Sequence, residues 1–277
     1  MSKVILITGC STGIGRDLTQ HLTQAGYTVV ATARHTDALN NLQAALKLPL
    51  DVTQPDSIEE AVACTVQQFG RIDILVNNAG YALRGVLEEV SVEQVQQMFD
   101  VNVFGVLRLI QAVVPLMRKR GSGRIVNVSS ISGKLAAPVN GTYSASKFAL
   151  EALSDALRLE LVPFGIQVVV IEPSVIKTHF ENTARIHAGN ILSNAASPYL
   201  PLYSVNDQFA AFTRRHEPGP EAVSRVIQQA IETPHPKARY LVAAALPIRL
   251  VIPLRDWVWD SLQRRILKIE PPLTVED

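Results

Sequence analysis

Cysteine is nearly missing from this chain of 277 residues: only Cys10 and Cys64 occur. Their spacing fits neither a disulfide framework nor a metal site, so no metal is expected and a reducing compartment fits. Charge is scarce too, at 18% of residues, and it balances to a formal +1. With no basic field to hold a phosphate backbone, nucleic acid is excluded as a partner. No run of about 18 uncharged apolar residues occurs, so no membrane-spanning helix is expected. The opening MSKVILITG enters a strand-like run at once and leaves no room for a leader peptide, and the expected location is cytoplasmic. Linkers, low-complexity tracts and repeats are lacking, which leaves a single domain over 1–277. What the chain has in quantity is hydrophobic residues, 47%, enough for a large core and too many for disorder.

Apolar runs rich in Val and Ile lie at 4–8, 28–32, 47–50, 74–77, 124–129, 167–171 and 239–243. They are nearly continuous rather than alternating, as strands buried on both faces should be. Helical patterns separate them. Pro55-Asp56-Ser57 supplies a start signal, and Ser91 before Val92-Glu93-Gln94 comes close to a capping box. The expected fold is α/β: a Rossmann-type doubly wound parallel sheet of about seven strands with helices on both faces. From about 178 to 219 the periodicity fades among Asn182, Asn190, Asn194, Pro198, Pro201 and Asn206, and a loop acting as a substrate lid is expected. An extension over about 246–277 closes the chain.

Thr8-Gly9-Cys10-Ser11-Thr12-Gly13-Ile14-Gly15 follows the first strand and opens the first helix. Gly9 permits a tight turn, Gly13 lets a phosphate-bearing ligand approach the backbone, and Gly15 lets helix and strand pack closely. The N–H groups and dipole at such a helix start favour a pyrophosphate. An ordinary strand–helix turn is the plain alternative, and the position in the first βαβ unit weighs against it. Further on, Tyr143 and Lys147 stand four apart and share a face if both lie on one helix. A phenol with pKa about 10 is a poor base near neutrality, and a nearby ammonium is expected to lower that value. A solvated helix face explains the same spacing.

The glycine spacing resembles the T-G-x-x-x-G-I-G of the short-chain dehydrogenase/reductase family, and other segments agree in order from about 3 to 180. Asn77-Asn78-Ala79-Gly80 looks like the family's N-N-A-G. Asp51, with Val52 after it, stands where the family meets the adenine, and Ser130 ends the fifth strand. Tyr143-Ser-Ala-Ser-Lys147 matches Y-x-x-x-K, and Pro173 to Thr178 resembles P-G-x-x-x-T through Val175 and Ile176, with Ser174 replacing the glycine. That replacement is expected to alter the backbone slightly and to leave binding intact.

The resemblance implies hydride transfer between nicotinamide and an alcohol or carbonyl carbon, with Tyr143 as general acid/base. It implies that Lys147 also bonds the nicotinamide ribose, that Ser130 holds the substrate oxygen, and that Asn102 fixes a water linking the lysine to solvent. The second strand ends Ala31-Thr32-Ala33-Arg34-His35, with no acid for a ribose 2′-hydroxyl but with Arg34 suited to a 2′-phosphate. NADP(H) is therefore expected, and NAD(H) is the alternative because Thr12 stands where some NADP-using relatives carry a basic residue.

The substrate pocket should lie among the stretch after Gly80, residues 136–140 and the segment after Thr178. Leu83, Val139, Phe180, Phe209 and Phe212 would make it apolar, and Asn140 would add a polar contact or a loop hydrogen bond. Residues 161–166 and the tail are similar to the hydroxysteroid and retinol dehydrogenase branch, which implies a bulky apolar alcohol, ketone or aldehyde. In the tail, Ile248, Leu250, Trp257, Val258, Leu262 and Ile266 lie among arginines, with an amphipathic helix expected beyond Pro253. Packing at the pocket mouth is its first reading, peripheral membrane contact the second and a subunit contact the third. Relatives form dimers or tetramers through the helices holding Asn102 and Tyr143, so a homodimer or homotetramer is expected. The apolar face Val106, Leu109, Ile110, Val113 and Val114 permits that, or packs in the core. A non-catalytic dinucleotide sensor and a sugar-nucleotide epimerase or dehydratase are the competing functions.

Overall fold

The computed structural model describes residues 2–213 and 217–254 with Leu262, Arg265 and Ile266, and side chains throughout these except at 209–213. Among the described residues, seven parallel strands form one sheet: β1 Val4–Ile7, β2 Thr28–Ala33, β3 Leu46–Pro49, β4 Ile74–Asn77, β5 Gly123–Val128, β6 Ile166–Pro173 and β7 Arg239–Val242. Their order is β3-β2-β1-β4-β5-β6-β7. The chain winds outward from β1 to β3, then returns to place β4 on the other side of β1. At that reversal the connections leave in opposite directions and open a crevice beyond the strand ends.

The unbroken apolar runs follow from burial on both sides. Val4 and Leu6 of β1 enter one core layer with Ile58 and Val62 of α2 (Pro55–Phe69) and Leu109, Val113 and Met117 of the helix at Gly105–Arg120. Ile5 and Ile7 enter the other, with Leu18 and Leu22 of α1 (Gly13–Gln24) and Val223 and Ile227 of the helix at Glu221–Glu232. Neither face can therefore carry a polar stripe. All five residues of the face 106–114 lie in the first layer, so core packing accounts for them. Apolar side chains left exposed nearby include Phe104, Leu153 and Leu159.

Ser91 forms a complete capping box with Gln94 and starts α3, Val92–Phe99. One π-helical turn, Asp100–Phe104, joins it to α4, Gly105–Arg120. The run Val92–Arg120 is 29 residues long and contains an 18-residue window of mean hydropathy 1.5, enough by length and composition alone for a membrane span, a test that core helices also pass. Asp100 and Arg108 interrupt the run, and its apolar stripe is the one buried beneath the sheet. At α2 the start also differs: Gln54 is the cap and Pro55 the first helical residue, where the missing N–H of proline costs nothing.

The segment expected as a loop contains two helices, α6 (Phe180–Ala188) and α7 (Leu200–Thr213), following α5 at Gly141–Glu160. Among their described side chains, only Ala184, Ala188 and Tyr203 are buried. A full amphipathic stripe is not needed, and Pro201 falls in a first turn where it is tolerated. α8 (Glu221–Glu232) and a short α9 (Leu246–Val251) complete the described helices. Leu246, Leu250 and Leu254 are exposed. The helix expected beyond Pro253 falls mostly outside the described residues, Trp257 and Val258 included.

Candidate active site

A cleft of about 1120 Å³ runs along the carboxyl ends of the strands. Its floor at the reversal is a hydrogen-bonded seam. The Thr8 hydroxyl accepts from the N–H of Asn78 and of Ala79, both at 3.0 Å. The Asn78 amide donates to the carbonyls of Thr8 at 2.9 Å and Gly9 at 3.1 Å. Asn78 thus holds the glycine loop against the end of β4.

Two glycines are needed for this fit. Gly9 has φ +72°, and a Cβ there would sit 2.9 Å from the Ala79 Cα. A Cβ on Gly15 would collide with the Gly9 carbonyl, which keeps α1 tight against the loop. Thr12 caps α1 without using its side chain, and the first turn has no acidic residue. The N–H groups around Ser11, Thr12, Gly13 and Ile14 and the positive end of the dipole therefore face the cleft without a competing anion. Cys10 is fully buried, its thiol pushed up to about 11 by burial.

Arg34 is exposed at the end of β2 and lines the cleft, as do Asp51, Val52, Ala79 and Gly80. The Asp51 carboxylate is engaged by the N–H and hydroxyl of Thr53 at 2.9 and 2.8 Å. Pro173, Val175, Ile176 and Thr178 line it from the β6 side. Ser174, in place of the family's glycine, is not among the residues with left-handed backbone, and its N–H pairs with the Val242 carbonyl at 2.9 Å. This cradle fits a dinucleotide: backbone donors at one helix start, a cation near the second strand and an extended trough between.

Tyr143 and Lys147 lie on α5, 6% and 5% exposed, and both line the cleft with Ser130. The Lys147 ammonium donates to the Val128 carbonyl at 2.9 Å and lies 5.8 Å from the Tyr143 ring centroid. Burial pushes the phenol up to about 12, while the Ser130 hydroxyl and the Arg84 charge oppose this. Burial pulls the ammonium down to about 8, with the Glu151 charge opposing. The expected lowering of the phenol is thus reversed. The helix face is dry rather than solvated, and the ammonium is held by a strand-end carbonyl rather than at the hydroxyl. The Ser130 hydroxyl also accepts from the Ser132 N–H at 3.1 Å.

Asn102 is fully buried on the π-turn. Its amide donates to the Tyr81 carbonyl at 2.8 Å and the Ser146 hydroxyl at 3.1 Å, and its oxygen accepts from the Tyr81 N–H at 3.0 Å. The side chain clamps the loop after Gly80 and stands behind the cleft wall.

Among the residues expected to meet substrate, Phe180 lines the cleft with its ring 5.7 Å from that of Tyr143. Asn140 lines it too, bonded to Ser132 at 3.0 Å and to Arg84. Val139 does not line the cleft: its φ is +65°, and the turn buries the side chain against Val86 and Tyr203. Leu83 is likewise buried, in a cluster beneath Tyr143. Its neighbour Arg84 takes the cleft position. The side chains of Phe209 and Phe212 lie outside the described residues. Residues not anticipated are Arg84, Glu181, Leu135 and the stacked pair Tyr81–His187, with centroids 4.0 Å apart. Of these, only Arg84 carried a signal: a lone cation in a stretch already assigned to the pocket. Ile248 and Ile266 of the tail also reach the cleft.

With this geometry in view, comparison with known proteins defines the class. The model of the short-chain dehydrogenases matches residues 3–188. The chain is 33% identical to a 3-ketodihydrosphingosine reductase of Bacteroides thetaiotaomicron, covering 96% of this chain and 97% of that one. It is 35% identical to estradiol 17-beta-dehydrogenase 1 of Rattus norvegicus, over 86% of this chain and 73% of that one. A Burkholderia phymatum short-chain dehydrogenase/reductase in complex with NAD superposes with TM-score 0.78 at 25% identity, over 99% and 98% of the two chains. A serine dehydrogenase complexed with NADP+ does so with TM-score 0.72 at 28% identity, over 86% and 93%.

The chain belongs to the short-chain dehydrogenase/reductase family and is an oxidoreductase. A nicotinamide dinucleotide is its cofactor class, with both forms represented among its structural neighbours.

The seam yields a direct test. Thr8→Val deletes the oxygen that satisfies two backbone donors, at an expected cost of about 1–3 kcal/mol. Denaturant unfolding should show that loss together with weaker dinucleotide binding. A change within about 0.5 kcal/mol, the range of ordinary surface substitutions, would refute the role of the seam.

Proposed function

We propose that the protein is an NADP(H)-dependent carbonyl reductase for bulky, mainly apolar ketones or aldehydes, with Tyr143 as the proton donor. The observation that carries this reading is the burial of Tyr143 and Lys147 on one helix, both lining the cleft beside Ser130. The nicotinamide supplies the hydride when bound. Ser11 to Ile14 hold the pyrophosphate, Arg34 the 2′-phosphate, and Lys147 the nicotinamide ribose. The Ser130 hydroxyl holds the substrate oxygen beside the phenol. A phenol pushed up to about 12 is protonated at neutral pH, which is the form that donates to a developing alkoxide. The Lys147 cation then stabilises the phenolate left behind.

Apolar Phe180, Leu135, Ile248 and Ile266 along the cleft support a bulky apolar substrate, and the named activity of the Bacteroides relative supports a keto group on it. Absence of an acid at the end of β2, with Arg34 in its place, supports NADP(H). Exposed Phe104, Leu153 and Leu159 on the π-turn and α5 support a homodimer. The exposed leucines of α9 are where peripheral membrane contact would form.

Three measurements test the reading. Tyr143→Phe should lower kcat by about 10²-fold or more while leaving the dinucleotide Kd, read by fluorescence, nearly unchanged; undiminished turnover would refute the assignment. Lys147 has an ammonium pulled down to about 8, so its charged form is lost as pH rises through that value. The kcat/KM for reduction should fall above about pH 8, and a profile rising there would contradict a proton-donating phenol backed by a cation. The kcat/KM of NADP(H) over NAD(H) should exceed one and should invert in Arg34→Asp; a wild type that prefers NAD(H) defeats the cofactor choice.

A further inference from the structure

One turn beyond Lys147 along α5, away from Tyr143, lies a cluster of charges with no part in the chemistry described so far. Glu151 and Glu172, 5% and 4% exposed, are its two buried carboxylates. One oxygen of Glu151 lies 3.0 Å from the Lys134 ammonium and 2.9 Å from the Arg239 guanidinium. The same two cations stand 3.5 and 3.3 Å from Glu172, near the end of β6. Asp155, a further turn along α5, lies 2.6 Å from the other arm of Arg239. The second oxygen of Glu151 is buried and accepts no hydrogen bond among the described residues. Buried ion clusters add little net stability, because desolvation offsets the attraction between the charges. Burial and the nearby Glu151 charge push the Glu172 carboxyl up, so the two carboxylates are held together at a cost.

The place of the cluster gives it a use. Lys147 and Glu151 are four apart on one helix face, where Cβ atoms lie about 5–6 Å apart, and both are buried. The turn that follows Ser130 packs directly on both: a Cβ on Gly133 would meet the Glu151 Cγ at 3.0 Å and the Lys147 carbonyl at 3.1 Å. Protein rather than water covers this stretch of the helix. The Val128 carbonyl gives the Lys147 ammonium a hydrogen bond but no opposing charge. Tyr143 is neutral, and Arg84, Lys134 and Arg239 are cations; Glu172 and Asp155 are engaged by the cations of the cluster. Burial pulls the ammonium toward neutrality, and the Glu151 charge opposes this. We propose that Glu151 is a positioning residue for the reduction: from one turn behind Lys147 its carboxylate keeps the ammonium charged, and Lys134 and Arg239 hold that carboxylate in place. Glu172 balances the two cations, so the cluster leaves a positive charge at Lys147 for the phenolate to use. The role rests on the carbonyl-reductase reading for its chemistry, whereas the coupling of Glu151 to Lys147 stands without it.

Two readouts test this. In the protein without dinucleotide, NMR of isotope-labelled lysine follows the Cε signal of Lys147 against pH, assigned by its loss in K147R. The wild-type midpoint should lie at about 8. E151Q removes a negative charge, disfavours the ammonium and should lower the midpoint by roughly one unit. E151D, which keeps the charge, should restore most of that shift. E172Q removes a carboxylate of the same cluster that lies on β6 rather than on the Lys147 helix face, and should leave the midpoint near the wild-type value. The second readout is the alkaline limb of kcat/KM for reduction of a straight-chain alkyl ketone. It should move with the midpoint, so that E151Q loses up to about 10-fold above neutrality and little in mild acid, a pattern that mere loosening of α5 would not produce. An E151Q midpoint at the wild-type value, or an equal shift in E172Q, would overturn the role. Where E151Q fails to fold, K134Q decides: it strips one counter-charge from Glu151 while Arg239 still holds it, and should raise the midpoint. An unmoved or lowered midpoint there overturns the role as well. Failure to reduce the ketone with NADPH or NADH at any pH would instead sink the reductase reading, and the NMR midpoints would still judge the coupling.

Discussion

The structure depends on the seam between β1 and β4. A doubly wound sheet has to reverse direction somewhere, and at that point two loops separate and leave strand-end backbone groups without strand partners. Here the Thr8 hydroxyl and the Asn78 amide satisfy those groups from both sides. Gly9 then turns with a positive φ, and Gly15 lets α1 press against the loop. Without this arrangement the amide groups of the glycine loop would have no fixed direction, and the cradle for a dinucleotide would not be preformed. The same crevice determines where β5 and α5 deliver Ser130, Tyr143 and Lys147.

Burial sets the electrical character of the site. The sheet and α5 remove both the phenol and the ammonium from water, and desolvation penalises each charged form. The tyrosine stays neutral and the lysine is drawn toward neutrality, so neither is held by pairing with the other. Compensation comes from fixed neighbours: the Val128 carbonyl on the ammonium, and Ser130 and Arg84 acting on the phenol. A group held neutral until a charge develops beside it acts through position, with little solvent to rearrange.

Legibility followed periodicity and motif. Both-face burial made the strands visible, and their number and parallel winding agree with the structure. Ser91 and Gln94 announced α3 because a capping box is a local device. The helices α6 and α7 were hidden because so few of their described side chains are buried. Val139 and Leu83 were misread as cleft residues: at Val139 a positive φ turns the side chain into the core, and Leu83 packs into the buried cluster of Ala82, Met98 and Tyr143. Asn102 was found by its motif, yet its side chain clamps Tyr81 behind the wall, an arrangement produced by one π-turn.

The sequence by itself determined the sheet and the glycine loop, and it singled out Tyr143, Lys147 and Ser130 as candidates, because strand runs and motifs are local patterns. Only the tertiary structure decided the sign of the phenol's pKa shift and the placing of Arg84 against Glu181. Both depend on groups far apart in the chain. Burial, and the distance between two charges, are properties of packed elements, which a linear pattern does not carry.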